Sequence, residues 1–290
     1  MNFVVTGFIQ RRLTYLYTMA EQVTGVILSK KPRQQRELRI LSTSYNTGGG
    51  ADFETATTHK YEIGVDEAGR GPLFGRVYTG AVILPSVTAS TSSSASSFDF
   101  SLLKDSKKFT SEKKIREVSD YIKEHAVAWA VSYEEPAVID MINIRRATLQ
   151  CMRNAINAVI KKHGDNVATT PTTTPTPRPT TDDYLLLIDG NDFIPMGNYN
   201  QQTTEIENYR HICVEGGDDT YACIAAGSIL AKVARDDYIE KLCDEYPVLD
   251  ELYSLRGNKG YGAKKHMDGI REHGITQWHR RSYGICRTFE

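Results

Sequence analysis

Five apolar residues in a row, Tyr184-Leu185-Leu186-Leu187-Ile188, run directly into Asp189. A strand without polar alternates has no face to turn to water, so other elements must cover it on both sides. The chain is therefore expected to build layers around a central sheet. Asp189 ends the run where that sheet is buried, and a carboxylate there is costly unless it is paired or bound to a cation. One short segment thus calls for both a layered fold and a partner for its terminal acid.

Neighbouring patterns agree. Tyr61, Ile63 and Val65 alternate with Glu62, Gly64 and Asp66, the pattern of a half-buried strand that leaves Asp66 on the face opposite Ile63 and Val65. After a glycine-rich turn, the stretch from Val77 to Leu84 reads as a second strand, close enough to pair as a hairpin. Val127, Trp129, Val131 and Tyr133 alternate in a third strand, and a further one lies near His211 to Val214. Leu149, Met152, Ile156 and Ile160 recur at helical spacing, with more helix expected from about Tyr221 to Tyr246 and near Ala263 to His273. Strands first, then alternating helix and strand, predict an α/β fold: a mixed β-sheet flanked by helices.

Composition sets limits on this fold. No stretch approaches the roughly 18 apolar residues of a membrane span, which excludes a helical membrane protein. Five cysteines without a C-x-x-C pair argue against a disulfide scaffold or a cysteine-built zinc site. The net charge of −1 divides unevenly, +5 over residues 1–50 and −6 over residues 51–290. A body of that sign does not advertise a polyanionic partner, so any nucleic-acid binding must rest on local basic clusters.

Residues 1–58 read as a disordered leader before a folded domain at 59–290. Val5, Ile9, Leu13 and Tyr17 form an apolar stripe beside Arg11 and Arg12, with no acid before Glu21. That is the pattern of an organellar targeting helix. Mitochondrial residence is the expectation, with nucleus or cytosol, and a start at Met19, as the alternative. Two insertions are expected near 86–98 and 168–183. Ser90 to Ser97 contains only Ser, Thr and Ala, and Thr169 to Thr181 holds eight Thr and four Pro. Neither can offset its ordering entropy, so both read as solvated loops.

Acids stand at the ends of apolar strands three times: Asp66-Glu67, Asp189, and Asp218 after Val214. Sites tend to form at strand ends in open sheets. Converging carboxylates repel one another, and hard divalent cations relieve that repulsion through oxygen ligands. Each acid could equally serve as a turn or cap residue, and the residue types alone leave both readings open. Gly64, Gly69, Gly71 and Gly75 crowd a strand end, but no phosphate-loop signature is present, and Arg70 and Pro72 break a dinucleotide fingerprint. His59, His125 and His163 are expected in solvent, and His279-Arg280-Arg281 reads as a surface cluster. Lys104, Lys107, Lys108, Lys113 and Lys114 form another basic cluster, and Tyr261 is lifted between glycines. Beside a metal site these would offer phosphate contacts and a stacking surface.

Taken in order, these segments resemble the ribonuclease HII family, the type 2 ribonucleases H. The resemblance begins at Gly64-Val-Asp-Glu-Ala-Gly-Arg-Gly-Pro-Leu73 and continues through Asp105-Ser-Lys-Lys108, Asn143-Ile144 with Ala147-Thr148, and Ile188-Asp-Gly-Asn191. It runs on through Gly217-Asp218, Ala226 to Val233 with Arg235-Asp236, Lys259-Gly-Tyr261, and His279-Arg-Arg-Ser282. It implies a ribonuclease H-like fold and an endoribonuclease that cuts the RNA strand of RNA/DNA hybrids and 5′ to ribonucleotides in duplex DNA. Asp66, Glu67, Asp189 and Asp218 match the family's catalytic carboxylates, which bind two Mg²⁺ or Mn²⁺ ions. Gly69, Arg70 and Gly71 match the segment that grips the backbone around the 2′-hydroxyl, and Tyr261 matches a tyrosine that stacks on the following deoxyribose. Ser106 and Lys107 match a strand-binding motif, while Ser228, Lys232 and Asp236 match a supporting helix. Glu215 departs from the pattern, since bacterial members usually carry lysine before the Gly-Asp pair.

The competing readings are another metal-dependent nuclease or polynucleotidyl transferase on the same fold, and a non-catalytic hybrid-binding subunit. A subunit without activity would be expected to lack at least one carboxylate, and all four are present. The family resemblance allows a monomer or a chain with accessory protein subunits.

Overall fold

The computed structural model describes residues 41–44, 59–86, 98–169 and 177–289. The targeting stripe, most of the expected leader and the centres of both low-complexity insertions lie outside the described residues.

Strand β1 (Tyr61–Ala68) pairs antiparallel with β2 (Val77–Ile83), and β2 with β3 (Ala128–Glu134). On its other side β1 pairs in parallel with β4 (Tyr184–Asp189). Between β4 and the last strand a separate hairpin is inserted, β5 (Gly197–Asn200) with β6 (Glu205–Asn208). Strand β7 (Arg210–Val214) then pairs in parallel with β4, giving a five-stranded mixed sheet of order β3-β2-β1-β4-β7. As the apolar run required, β4 lies inside the sheet with a strand on either side.

Helices cover both faces. In chain order the helix Glu112–His125 (α1) is followed by Pro136–Ile142 (α2) and by α3 (Ile144–Thr169), which covers one face. Helix α3 sets Leu149, Met152, Ile156 and Val159 against Ile63, Val65, Leu186 and Ile188. On the opposite face α4 (Ala222–Glu245) packs Ala225, Ala226, Ile229 and Val233 with Val82, and α1 adds Ile115, Val118 and Ile122 to that layer. Beyond α4 come α5 (Val248–Tyr253), α6 (Leu255–Asn258) and α7 (Lys264–His273). Together with the turn Gly284–Thr288 they enclose Phe74, in a third apolar cluster.

The half-buried reading of β1 is corrected: Ile63 to Asp66 are all buried, and so is every residue of β2. Glycine is the reason. A Cβ on Gly64 would stand 2.1 Å from the backbone of Cys223, and one on Gly80 would stand 2.2 Å from the carbonyl oxygen of Gly227. The non-apolar positions are therefore gaps that admit the α4 backbone rather than a wetted face.

Other expectations also change. His163 is buried on α3, which continues past Ile160 to Thr169, and its Nδ1 lies 2.8 Å from the Tyr184 hydroxyl. His279 and Arg280, read as surface, are fully enclosed. Leu41–Ser44, inside the expected leader, pack on the sheet domain. Leu41 is buried, Ser42 N–H donates to the Thr220 carbonyl at 2.8 Å, and Ala222 N–H donates to the Ser42 carbonyl at 2.9 Å. Phe98 and Thr181, at the ends of the two insertions, are buried as well.

Candidate active site

Strand register assembles the acids. Val65 pairs with Ile188, so the next residues, Asp66 and Asp189, stand side by side at the end of β1 and β4, both on the α4 face. Gly216 turns the chain after β7 at φ 65°, which brings Gly217 N–H to Asp189 Oδ1 at 2.7 Å and sets Asp218 beside it. Glu67 follows Asp66 directly.

Electrostatics shows how closely they crowd. Asp66 is 3% exposed, and burial pushes its carboxyl well above the usual range, with Glu67 and Asp189 adding repulsion. A hydrogen bond with Ser228 and the Glu67 N–H donating at 2.6 Å act in the other direction. Burial also raises Glu67, opposed by Arg70 at 3.3 Å. Asp218 is raised by burial and by Asp189, opposed by Lys107, whose Nζ stands 3.3 Å from Oδ2. For Lys107 burial works to lower the pKa, but Asp218, Asp105 and Asp66 outweigh it and hold the ammonium above the ordinary lysine value.

The Asp105-Ser-Lys-Lys108 segment explains its own composition. Asp105 caps a single turn, Ser106–Lys108, by accepting from Lys107 N–H at 2.8 Å. The turn points Ser106 inward, 2.9 Å from the Ser228 hydroxyl that in turn serves Asp66. It also aims Lys107 at Asp218 and Lys108 at Asp219. Lys232 and Asp236, one and two turns past Ser228, pair with each other at 2.9 Å and make no hydrogen bond to the four acids.

Among the described residues no three His, Cys, Asp or Glu groups are drawn together as a formed metal cluster. The Lys107 ammonium instead stands 3.3 Å from Asp218 Oδ2. The donor set nevertheless fits hard divalent cations: all four groups offer oxygens, the Glu67 and Asp218 carboxyls stay raised despite Arg70 and Lys107, and among the described residues no cation pairs with Asp66.

Beside the acids lies the loop Gly69–Arg76, and it is held by a residue that sequence reasoning passed over. Arg280 is 0% exposed and donates to four backbone carbonyls: Gly75 at 2.8 Å, Arg70 at 2.9 Å, Gly69 at 2.6 Å and Arg76 at 3.0 Å. Tyr283 donates a second bond to the Arg70 carbonyl at 2.9 Å. Asp140 anchors this segment by accepting from Arg281 N–H and from the Ser282 N–H and hydroxyl. With the Gly69 and Arg70 carbonyls turned inward across planar trans peptides, the Arg70 and Gly71 N–H groups point the opposite way, towards the open side. Gly69 itself has φ +93°, and a Cβ there would meet Arg235 Nε at 2.3 Å. In the sequence Arg280 stood in a charged cluster read as surface and in the His279-Arg-Arg-Ser282 segment of the family resemblance, and neither gave it this role.

Tyr261 reaches the same loop from the far end of the chain. It is 51% exposed, and a Cβ on Gly71 would lie 3.6 Å from its ring. Arg235 donates to the Lys259 carbonyl at 2.7 Å and lies 5.8 Å from the Tyr261 ring centre, while Leu73 N–H donates to the Gly260 carbonyl at 2.9 Å. The structure thus brings Gly69, Arg70, Gly71 and Tyr261 together, with Lys107 and Ser228 bonded to the acids and Ser106 bonded to Ser228.

A mixed sheet of this order, helices on both faces and acids at the adjoining ends of β1 and β4, is the ribonuclease H-like class. The family model for ribonuclease HII matches residues 63–286. A ribonuclease HII of Oceanobacillus iheyensis is 34% identical over 94% of this chain and 88% of its own length. One of Bacteroides thetaiotaomicron is 39% identical over 77% of this chain and 90% of its own. A solved mutant of Bst-RNase HIII, 17% identical, superposes with a TM-score of 0.52 over 79% of this chain and 68% of that one, a likeness in fold. The chain belongs to the ribonuclease HII family, endoribonucleases that act on RNA/DNA hybrids.

Proposed function

We propose that this chain cuts the RNA strand of RNA/DNA hybrids, and duplex DNA 5′ to an embedded ribonucleotide, leaving a 5′-phosphate and a 3′-hydroxyl. The observation that carries this reading is the convergence of Asp66, Glu67, Asp189 and Asp218 beside a loop whose Arg70 and Gly71 N–H groups face outward. The four carboxylates would hold two divalent cations, Mg²⁺ or Mn²⁺. When bound, such ions supply an activated water and stabilise the leaving 3′-oxygen.

The chain's own residues do the rest. Gly69, Arg70 and Gly71 grip the backbone at the 2′-hydroxyl, the only group that separates RNA from DNA at the sugar. Tyr261, half exposed against Gly71, stacks on the next deoxyribose. Lys107, now at Asp218, would be free to bind a substrate phosphate, and Ser106 and Ser228 keep Asp66 oriented. Lys232 and Asp236 stiffen α4. The protein is proposed to work as a monomer unless accessory subunits join it, and the stripe in residues 1–20 favours a mitochondrial address over nucleus or cytosol. The test is direct: incubate the purified chain with Mg²⁺ and a duplex carrying one ribonucleotide, then map the cut and its end groups. A cut on the 3′ side, or none with either metal, defeats the reading.

A further inference from the structure

A groove of about 510 Å³ lies along the exposed side of α3, lined by Arg146, Gln150, Arg153, Asn154 and Asn157 over the apolar side chains of Ile142, Leu149 and Ile194. Its chemistry is unusual for this chain. From Ile144 to Gly164 the helix carries Arg145, Arg146, Arg153, Lys161 and Lys162 and no acid, within a body whose net charge is −6. Among the described residues Arg145 pairs bidentately with Asp192 at 2.6 and 2.7 Å, whereas Arg146 and Arg153 have no carboxylate partner. The buried acid Glu134 accepts from Gln150 at 3.0 Å and Asn154 at 3.2 Å, so two amides already engage it.

Position links the groove to the site. Asp192 lies three residues past Asp189 and interacts electrostatically with both Arg145 and Arg70. Ile194, one wall of the groove, comes five residues after Asp189, a reach of at most about 18 Å. A line of cationic side chains therefore runs from the Gly69–Gly71 loop through Arg145 into the groove. Arg146 and Arg153 are seven residues apart on one helix, about 10 Å along its axis, or about three base-pair steps of duplex.

We infer that the α3 groove is a second nucleic-acid subsite, in which Arg146 and Arg153 hold backbone phosphates of the duplex flanking the cleaved ribonucleotide. This rests on the nuclease reading above. Two unpaired guanidiniums at that spacing match the repeating charge of a strand backbone, and a guanidinium binds phosphate through paired donors. Gln150 and Asn157 add amides suited to phosphate or sugar oxygens. Contacts to backbone phosphates are independent of sequence.

The test uses the full chain and a long labelled duplex with one central ribonucleotide. Binding is followed by fluorescence anisotropy without divalent cations, across a salt series, and cleavage is measured separately with Mg²⁺. For Arg146→Ala/Arg153→Ala the slope of log affinity against log salt should fall by about 2, and KM should rise several-fold with kcat nearly constant. Arg146→Lys/Arg153→Lys should recover most of the salt slope. A slope equal to wild type, or a fall in kcat without a change in KM, overturns the subsite. Failure of the wild-type chain to cut this duplex would instead overturn the nuclease reading, so the two failures are distinct.

Discussion

At the scale of single residues, the site holds two kinds of buried charge with opposite demands. Asp66 is enclosed among like charges, so the empty site is strained at neutral pH. Asp66→Asn removes that repulsion. The metal-free variant should melt higher than wild type, each kcal/mol appearing as roughly 2–4 °C, while cleavage falls to background. Added Mg²⁺ should raise the melting temperature of wild type but hardly that of the variant. Retained turnover, or an equal Mg²⁺ response in both proteins, would remove Asp66 from the metal set. Arg280 is the reverse case, a buried cation held by four carbonyl dipoles, with the Tyr283 ring 5.1 Å away and Asp140 adding attraction. Arg280→Lys keeps the charge but loses the planar fork and has only three donors for four carbonyls, leaving at least one bare at about 1–3 kcal/mol. Both the melting temperature and kcat/KM on a ribonucleotide-bearing duplex should fall. A stable variant with wild-type turnover would show that the loop does not need its clamp. The carboxylates were legible in the sequence because an acid ending an apolar run contradicts its surroundings. Arg280 was not, because nothing in a string distinguishes a charge that solvates itself on folded-back carbonyls from one that faces water.

At the scale of elements, legibility followed the apolar pattern. Tyr184–Asp189 emerged whole, since a run without polar alternates has one explanation. The hairpin Gly197–Asn208 did not, because its strands are exposed on both faces and carry no alternation to detect. Helix α1 was hidden for a different reason: Ile115, Val118 and Ile122 make a narrow stripe in a segment dominated by Lys and Glu. For β1 the alternation was real but its meaning was not solvent, since Gly64 marks where α4 crosses. That crossing yields a prediction. Gly64→Ala would drive a methyl into the Cys223 peptide, and a backbone cannot step aside as a flexible side chain can. The helix must move outward, at a cost of about 1–3 kcal/mol or more, and Ser228 moves with it, away from Asp66. Thermal melts should show lost stability, and kcat should drop more than KM changes. Normal kcat in a folded Gly64→Ala protein would show that the site tolerates displacement of α4.

Across the whole molecule, the site is closed by contacts between distant parts of the chain, such as Arg280 with Arg70, 210 residues apart. No local pattern announces pairings of that separation, and here only the resemblance to a known family foresaw that Tyr261 and Gly71 would meet. A chain of neutral hydrogen bonds secures the closure. Thr276 N–H donates to His279 Nδ1 at 3.0 Å, which leaves Nε2–H of His279 to donate to Nε2 of His266 at 3.1 Å. His266 Nδ1–H then donates to the Tyr261 carbonyl at 2.8 Å. A proton on either ring would set two N–H groups face to face. Burial accordingly lowers both histidines, with His279 pulled down to about 3. Unfolded, each titrates near 6.5, so the folded state binds fewer protons in between. The stabilisation from His279 is complete above about pH 6.5 and is lost progressively as pH falls towards about 3, at up to about 1.4 kcal/mol per pH unit, and His266 acts in the same direction. Urea unfolding should therefore show stability declining on the acid side of neutrality. His279→Gln can still receive the Thr276 N–H but cannot titrate, so it should be less stable than wild type near pH 7.5 and show a shallower acid slope. If the variant keeps the wild-type slope between about pH 7 and about pH 5, other groups set the acid limb, and the histidine chain is not what ties the Tyr261 loop to the fold.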